Sequence, residues 1–173
     1  EYAGFGGDIG FNKYIGRMGW HVPIVKKFVG HLRGRAGYVG ENSSGFLPDY
    51  ELFYMQGLDS LIGYDREEIQ PRDAKGEVIG GDRFVHGVVQ LIHPLLTEFG
   101  LDGFIFYNIG GIASSEPGAE PQNLNGDSLR QSTGVGVNWN SPMGPIALAY
   151  GFKIDRREGE SAGAFDFNFG GSF

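Results

Sequence analysis

The sequence predicts an all-β fold, an antiparallel transmembrane β-barrel of about eight strands in an up-and-down meander. The first observation is the C-terminal segment 163–173, which has strict two-residue alternation, the period of a β-strand. Its phenylalanines share one parity: Phe165, Phe167, Phe169 and Phe173. The second is composition, with 31 glycines, 14 phenylalanines and 8 tyrosines in 173 residues. No run approaches the roughly 20 apolar residues of a spanning helix, so a membrane protein of this sequence must be a barrel.

The same alternation gives the other strands one bulky apolar face and one small or polar face. In segment 145–155, aromatic and branched residues alternate with alanine, glycine, lysine and aspartate, and segment 128–141 behaves alike. A soluble ligand-binding barrel, the alternative, would expose glycine and alanine to water. A membrane barrel turns the bulky face to lipid and keeps small residues in a narrow lumen. The pattern therefore favours the membrane barrel, with a lipid bilayer or detergent as its surroundings.

Seven strands are predicted, and "EYAG" at the start is interpreted as the stub of an eighth. In the first full strand Tyr14 and Trp20 share a parity that Ile9 and Phe11 do not, which predicts a bulge between them. The strands lie at about 8–24, 28–40, 82–94, 101–112, 128–141, 145–155 and 160–173.

Domain organisation is simple, because one barrel domain is predicted for the whole of 1–173. The chain begins without a signal peptide and is interpreted as a mature fragment. Either the stub closes the ring, or the open edges pair with a second copy to give a homodimer. Segment 41–80 is too long for a hairpin and is predicted to be a functional loop.

Charge and chemistry exclude several functions. The net charge of -7 and the scattered basic residues argue against nucleic-acid binding. There is no cysteine, and His86 and His93 lie seven apart on one strand, so they are predicted to point to opposite faces. We therefore expect no metal, no cofactor and no enzyme activity. A polar network of His21, His31, Arg33 and Arg35 with Asp155 and Asp166 is interpreted as structural.

Four aromatic residues are candidates for the belts that membrane proteins place at the two lipid–water interfaces. The alternative is that these residues are ordinary bulky side chains that face the lipid without marking an interface. The four are Trp20, Tyr107, Trp139 and Tyr150.

Three stretches resemble a known family: "LRQSTGVGVNWNSPMGPIALAYGF" (129–152), "GGD" (80–82) before "VVQLIHPL", and the terminal "FDFNFGGSF". They are similar to the C-terminal barrel half of the BamA-type assembly proteins of the bacterial surface antigen superfamily. The resemblance implies a bacterial outer-membrane location and a role in folding and inserting other outer-membrane barrels, the clients. It implies that POTRA domains and the first barrel half are missing here. The last strand would form the seam for client strands, and Phe173 would belong to the C-terminal sorting signal.

The sequence departs from the family at a loop motif of arginine, glycine and an aromatic residue. Ile62 stands at the arginine position, followed by Gly63 and Tyr64, and neutral Gln90 and Asn108 stand at the positions of its acidic partners. Losing all three charges together avoids leaving a charge buried without a partner.

These three changes have two readings, drift in a divergent homologue and deliberate engineering of a shortened barrel. We favour engineering, which predicts that 41–80 lies outside a lumen too narrow to hold it, or is disordered. Insertion activity is expected to be absent or reduced. A passive structural barrel or small pore is the alternative function.

Overall fold

The computed structural model describes residues 2–3, 9–25, 27–43, 45–55 and 61–170. These form one eight-stranded antiparallel sheet whose neighbours follow chain order, so the predicted meander is confirmed. No ladder joins the first and last strands within the described residues, and ring closure stays a prediction. The strands are β1 (Tyr2–Ala3), β2 (Phe11–Val25), β3 (Phe28–Glu41), β4 (Arg83–Leu96), β5 (Leu101–Ala113), β6 (Arg130–Ser141), β7 (Gly144–Lys153) and β8 (Gly163–Phe169).

Helical structure in the described ranges is short. It comprises helix α1 (Arg66–Ile69) and the 3-10 turns Asp49–Glu51 and Thr97–Phe99. Across the described part of the chain, no helix has the length and apolar character needed to cross a membrane.

The two faces of the sheet are those that the alternation predicts. Val135, Tyr150 and Phe165 are cross-strand partners on the outer face. One position further, Ala149 pairs with Asp166 on the concave face. Phe165 is 72% exposed, whereas Ala149 is 2% exposed. The bulky face therefore points outward, as it must in a barrel surrounded by lipid.

The predicted bulge near the start of β2 is wrong. β2 pairs with β3 in unbroken register from Phe11 to Pro23, and the shift lies between Pro23 and Val25, beside a proline that cannot donate to the ladder. Phe11 breaks the outward parity because it is buried on the concave face, while Ile9 precedes the strand and bridges Phe46. Within the predicted stub, Tyr2 and Ala3 pair with β2.

The connections define two different ends of the sheet. Short turns follow β2, β4 and β6, and the longer segments 42–82, 114–129 and 154–162 follow β3, β5 and β7. We call these the turn end and the loop end. In outer-membrane barrels short turns face the periplasm and long loops face the cell exterior. The segment after β3 folds back from the loop end over the concave face, which positions the site described next.

Candidate functional site

The loop between β3 and β4 docks on the concave face of the sheet. Ile62 is 4% exposed and lies in an apolar cluster with residues of β5 and β7. Burying a side chain of this size stabilises by roughly 1.5–3 kcal/mol. The other members of the cluster are Phe104, Phe106, Ala147 and Ala149.

The prediction that segment 41–80 lies outside the lumen is therefore wrong for residues 62–64, which are buried and which we call the loop tip. An isoleucine at the arginine position needs no acidic partner, and it finds an aromatic and alanine surface instead. The hypothesis of an engineered, shortened barrel predicted a displaced or disordered loop, and the buried position of Ile62 contradicts that prediction. Residues 56–60 of the segment lie outside the described part of the chain.

A second apolar cluster holds the rest of the loop at the loop end. Leu61 is fully buried there, and helix α1 contributes its buried Ile69. The strands contribute Phe84 of β4 and Ile112 of β5. Residues on both sides of the tip are thus fixed, and the tip cannot move without uncovering both clusters.

The neutral partner positions predicted from the family motif behave differently from each other. Ser132 of β6 donates to the carbonyl oxygen of Ile62, and its hydroxyl oxygen lies 2.5 Å from Asn108 Oδ1. Asn108 therefore contacts the loop indirectly, through the hydroxyl group of Ser132. Gln90 is also buried, but its Oε1 lies 3.2 Å from His31 Nδ1.

The backbones of Gly63 and Gly151 approach so closely that neither position tolerates a side chain. Gly63 has a φ of 95°, a left-handed conformation that favours glycine. A Cβ on Gly63 would lie 2.7 Å from the carbonyl carbon of Gly151, and one on Gly151 would lie 2.5 Å from the oxygen of Ile62. The Gly63 N–H donates to Asp166 Oδ2 of β8 at 2.8 Å.

Tyr64 is buried inside a group of charged side chains, which we call the Tyr64 cluster. Its hydroxyl hydrogen-bonds the Asp155 carboxylate and lies 2.8 Å from the Gln131 carbonyl oxygen. The Arg130 guanidinium lies 4.8 Å and the Lys153 ammonium 5.2 Å from the ring centroid, within cation–π range. The cluster comprises Glu68, Arg130, Lys153, Asp155 and Glu160 around the ring.

Short ion pairs connect the members of this cluster to each other. Arg130 Nε lies 2.9 Å from Asp155 Oδ2, and Arg130 Nη2 lies 2.6 Å from Glu160 Oε2. Lys153 Nζ lies 2.6 Å from Glu68 Oε1. Glu68 is oriented by a capping box at the start of α1, where it accepts from the Asp65 N–H. Helix α1 thereby ties the loop to β7.

Sequence reasoning missed Arg130, Lys153 and Glu68. Arg130 begins β6 and Lys153 ends β7, and both lie at the loop end on the concave face, whose other residues in these strands are mostly small. A charged residue on the concave face, so close to a long loop, was the sequence signal that could have predicted a contact with that loop. Asp155 and Asp166, predicted to join a network with histidines, contact the loop instead.

The electrostatics favour the charged forms of the cluster's acids. The pKa of Asp155 lies below its ordinary value because, although burial opposes this, it accepts from Tyr64 and the Gln131 N–H beside Arg130. The pKa of Glu160 is lowered by Arg130 and the Arg157 N–H, again against burial. Burial and the bond to Asp155 raise the pKa of the Tyr64 hydroxyl.

Acid is expected to release the loop. A carboxyl with a depressed folded pKa contributes stability above its unfolded pKa, about 4 for Asp and Glu, and loses it as pH falls through the folded value. A spin label at exposed Glu67 should therefore gain mobility as the pH falls below about 4. A label at Lys27, in the opposite turn, serves as the control. Equal gains at both labels, or none at Glu67, would contradict this assignment.

The four candidate belt aromatics all lie on the outer face. Trp139 Nε1 donates to the Phe99 oxygen at the turn end, and the Tyr107 hydroxyl donates to Gln131 Oε1. Trp20 is exposed on β2, and Tyr150 packs edge-on against Phe165. Their role as interfacial belts stays a prediction.

The remaining predicted positions are also placed. Phe165, Phe167 and Phe169 are exposed on the outer face of β8, and Phe173 lies outside the described residues. His86 is buried on the concave face, whereas His93 stacks on Phe28 of the outer face, so their opposite directions are confirmed.

Comparisons with known proteins identify related sequences and a related fold. The Omp85 superfamily domain matches residues 1–173. Outer membrane protein assembly factor BamA of Nitratidesulfovibrio vulgaris is 36% identical over 179 residues, covering 100% of this chain and 22% of the relative. BamA of Neisseria meningitidis is 28% identical over 181 residues, covering 89% and 23%. The crystal structure of Haemophilus ducreyi BamA lacking POTRA domains 1–3 superposes with a TM-score of 0.75 at 23% identity, covering 91% of this chain and 34% of that one. The chain thus spans about a fifth of the length of the curated relatives it matches.

Proposed function

Because the chain belongs to the Omp85 superfamily, we propose that it acts as the C-terminal barrel region of an outer-membrane protein assembly factor. The location predicted from the sequence, the bacterial outer membrane, is confirmed by this membership. In the proposed role the docked loop holds strands β6 to β8 in place, and β8 offers its backbone edge to a client strand.

The observation that supports this role is the position of the loop tip. It contacts three consecutive strands, through Ser132 of β6, Gly151 of β7 and Asp166 of β8. Among the described residues, β8 is paired on its β7 side alone. An unpaired strand edge presents backbone donors and acceptors that accept another strand. The tip therefore braces the sheet where a client would join it.

Side-chain catalysis has no part in this proposal. Strand addition proceeds through backbone hydrogen bonds, so no enzyme activity, metal or cofactor is invoked. The proposed partners are the lipid bilayer at the outer face and client outer-membrane proteins at the β8 edge. A second copy of the chain competes for the same edge and would give a homodimer.

We expect the activity to be reduced, because Ile62 stands where the family motif has an arginine. The test adds an unfolded eight-stranded client to liposomes that contain this chain, a full-length relative or an unrelated barrel of similar size. Client folding is followed by its shift in gel mobility without heating.

Client folding should be faster with this chain than with the unrelated barrel, and slower than with the relative. A rate equal to that of the unrelated barrel would overturn the proposal. If ion conductance appears at the same time, the alternative of a passive barrel or small pore is supported. A rate equal to the relative's would contradict the expected reduction.

A further inference from the structure

We propose that Asp166 ties the loop to the last strand and so keeps β8 paired with β7. Asp166 is a positioning residue in this proposal, acting through the backbone of Gly63. The inference rests on the proposed function for its consequence, because β8 carries the edge offered to clients. The tie itself is a property of the chain and is testable without a client.

The contact is specific to one side chain of β8. Three described residues of this strand face the concave side, and Asp166 is the one that is charged; the others are Ala164 and Asn168. Its Oδ2 accepts the Gly63 N–H at 2.8 Å.

Neighbouring contacts orient the Gly63 N–H toward β8. The side chain of Ile62 is buried against β5 and β7, and the Tyr64 hydroxyl bonds Asp155, just beyond the end of β7. Between them, Gly63 rests on the backbone of Gly151 with a φ of 95°. The tip is thus fixed on both sides, and its N–H is a rigid donor rather than a mobile one.

Strand β8 needs such support more than its neighbours do. It has seven residues, and its described ladder runs to β7 alone, whereas β7 has ten residues and is paired on both sides. Short edge elements open locally at low free energy. A bond from the loop to the middle of β8 raises that opening free energy without covering the outer edge.

Hydrogen exchange of the full chain in lipid nanodiscs tests the tie. In Asp166→Ala, the β8 amides that bond to β7 should exchange about tenfold faster, the loss of one charged hydrogen bond, while β6 amides stay unchanged. Asp166→Asn keeps an acceptor oxygen for the Gly63 N–H, so its increase should be smaller than that in Asp166→Ala. Asn168→Ala is the matched control on the same face and should exchange like the unmodified chain.

Three outcomes decide the proposal. The proposal is supported if the β8 amides exchange faster in Asp166→Ala than in both Asp166→Asn and the unmodified chain. Unchanged β8 exchange in Asp166→Ala, or an equal increase in Asn168→Ala, overturns it. If Asp166→Ala does not refold, Asp166→Leu, which has a similar volume and no acceptor, carries the decision, and unchanged β8 exchange in that variant overturns the tie.

The exchange experiment contains no client, so it does not depend on the proposed function. The insertion assay on the same variants tests that function separately. Faster β8 exchange with client folding no better than with an unrelated barrel would support the tie and overturn the assembly role alone.

Discussion

Gly63→Ala is expected to detach the loop tip and destabilise the protein by about 3 kcal/mol or more. A left-handed backbone costs an alanine about 1–2 kcal/mol by itself. The remainder comes from overlap with the carbonyl of Gly151, since the added Cβ would lie 2.7 Å from it. Urea unfolding in detergent, followed by tryptophan fluorescence, measures the change.

Gly76→Ala is the matched control for this substitution. Gly76 lies in the same loop with a φ of 84°, but nothing lies within 4 Å of a Cβ placed there. Gly76→Ala should lose only the free energy that a left-handed backbone costs an alanine, about 1–2 kcal/mol. Equal losses at the two positions would mean that the tip is not pressed against β7.

Ile62→Arg is expected to cost about 3–5 kcal/mol, because it would leave a charge without a partner in an apolar cluster. Adding Asn108→Asp and Gln90→Glu supplies the acidic partners of the family motif and should recover most of that loss. Each acidic substitution alone should also destabilise. Urea unfolding of the single, double and triple variants at positions 62, 90 and 108 measures the coupling free energy among these positions.

Ile69→Arg controls for the general cost of a buried arginine. Ile69 is as well buried as Ile62 but belongs to the other apolar cluster. Ile69→Arg should lower the free energy of unfolding by a similar amount. Adding Asn108→Asp and Gln90→Glu should not recover this loss. Purely additive effects at Ile62 would show that positions 62, 90 and 108 do not function as a unit.

The strands and their faces could be predicted because lipid and lumen impose opposite demands on alternate residues. The predicted strand at 101–112 and the observed strand Leu101–Ala113 differ by one residue. The exception near Phe11 arose because that residue is buried on the concave face, where small or polar residues were expected. Local alternation carries no information about such burial.

The loop's position could not be predicted from the same pattern. Neutral residues at positions 62, 90 and 108 indicated that the charged contact between the loop and the strands was missing. The prediction went further and assumed that the loop made no contact with the concave face at all. Ile62 instead packs on Phe104 and Ala149, which lie more than forty residues further along the chain. Tyr64 is likewise held by groups as distant as Asp155. Such contacts depend on how the strands bring distant segments together.

The most direct test of the docked loop is a thiol cross-link, which is clean because the chain has no cysteine. Glu68 and Lys153 touch across the loop and β7, whereas neighbouring Phe152 points to the outer face. With a short dithiol-reactive linker in lipid, the cysteine pair 68 and 153 should link efficiently, and the pair 68 and 152 should not. Linking of both pairs to the same extent, or of neither, would contradict a loop docked on the concave face.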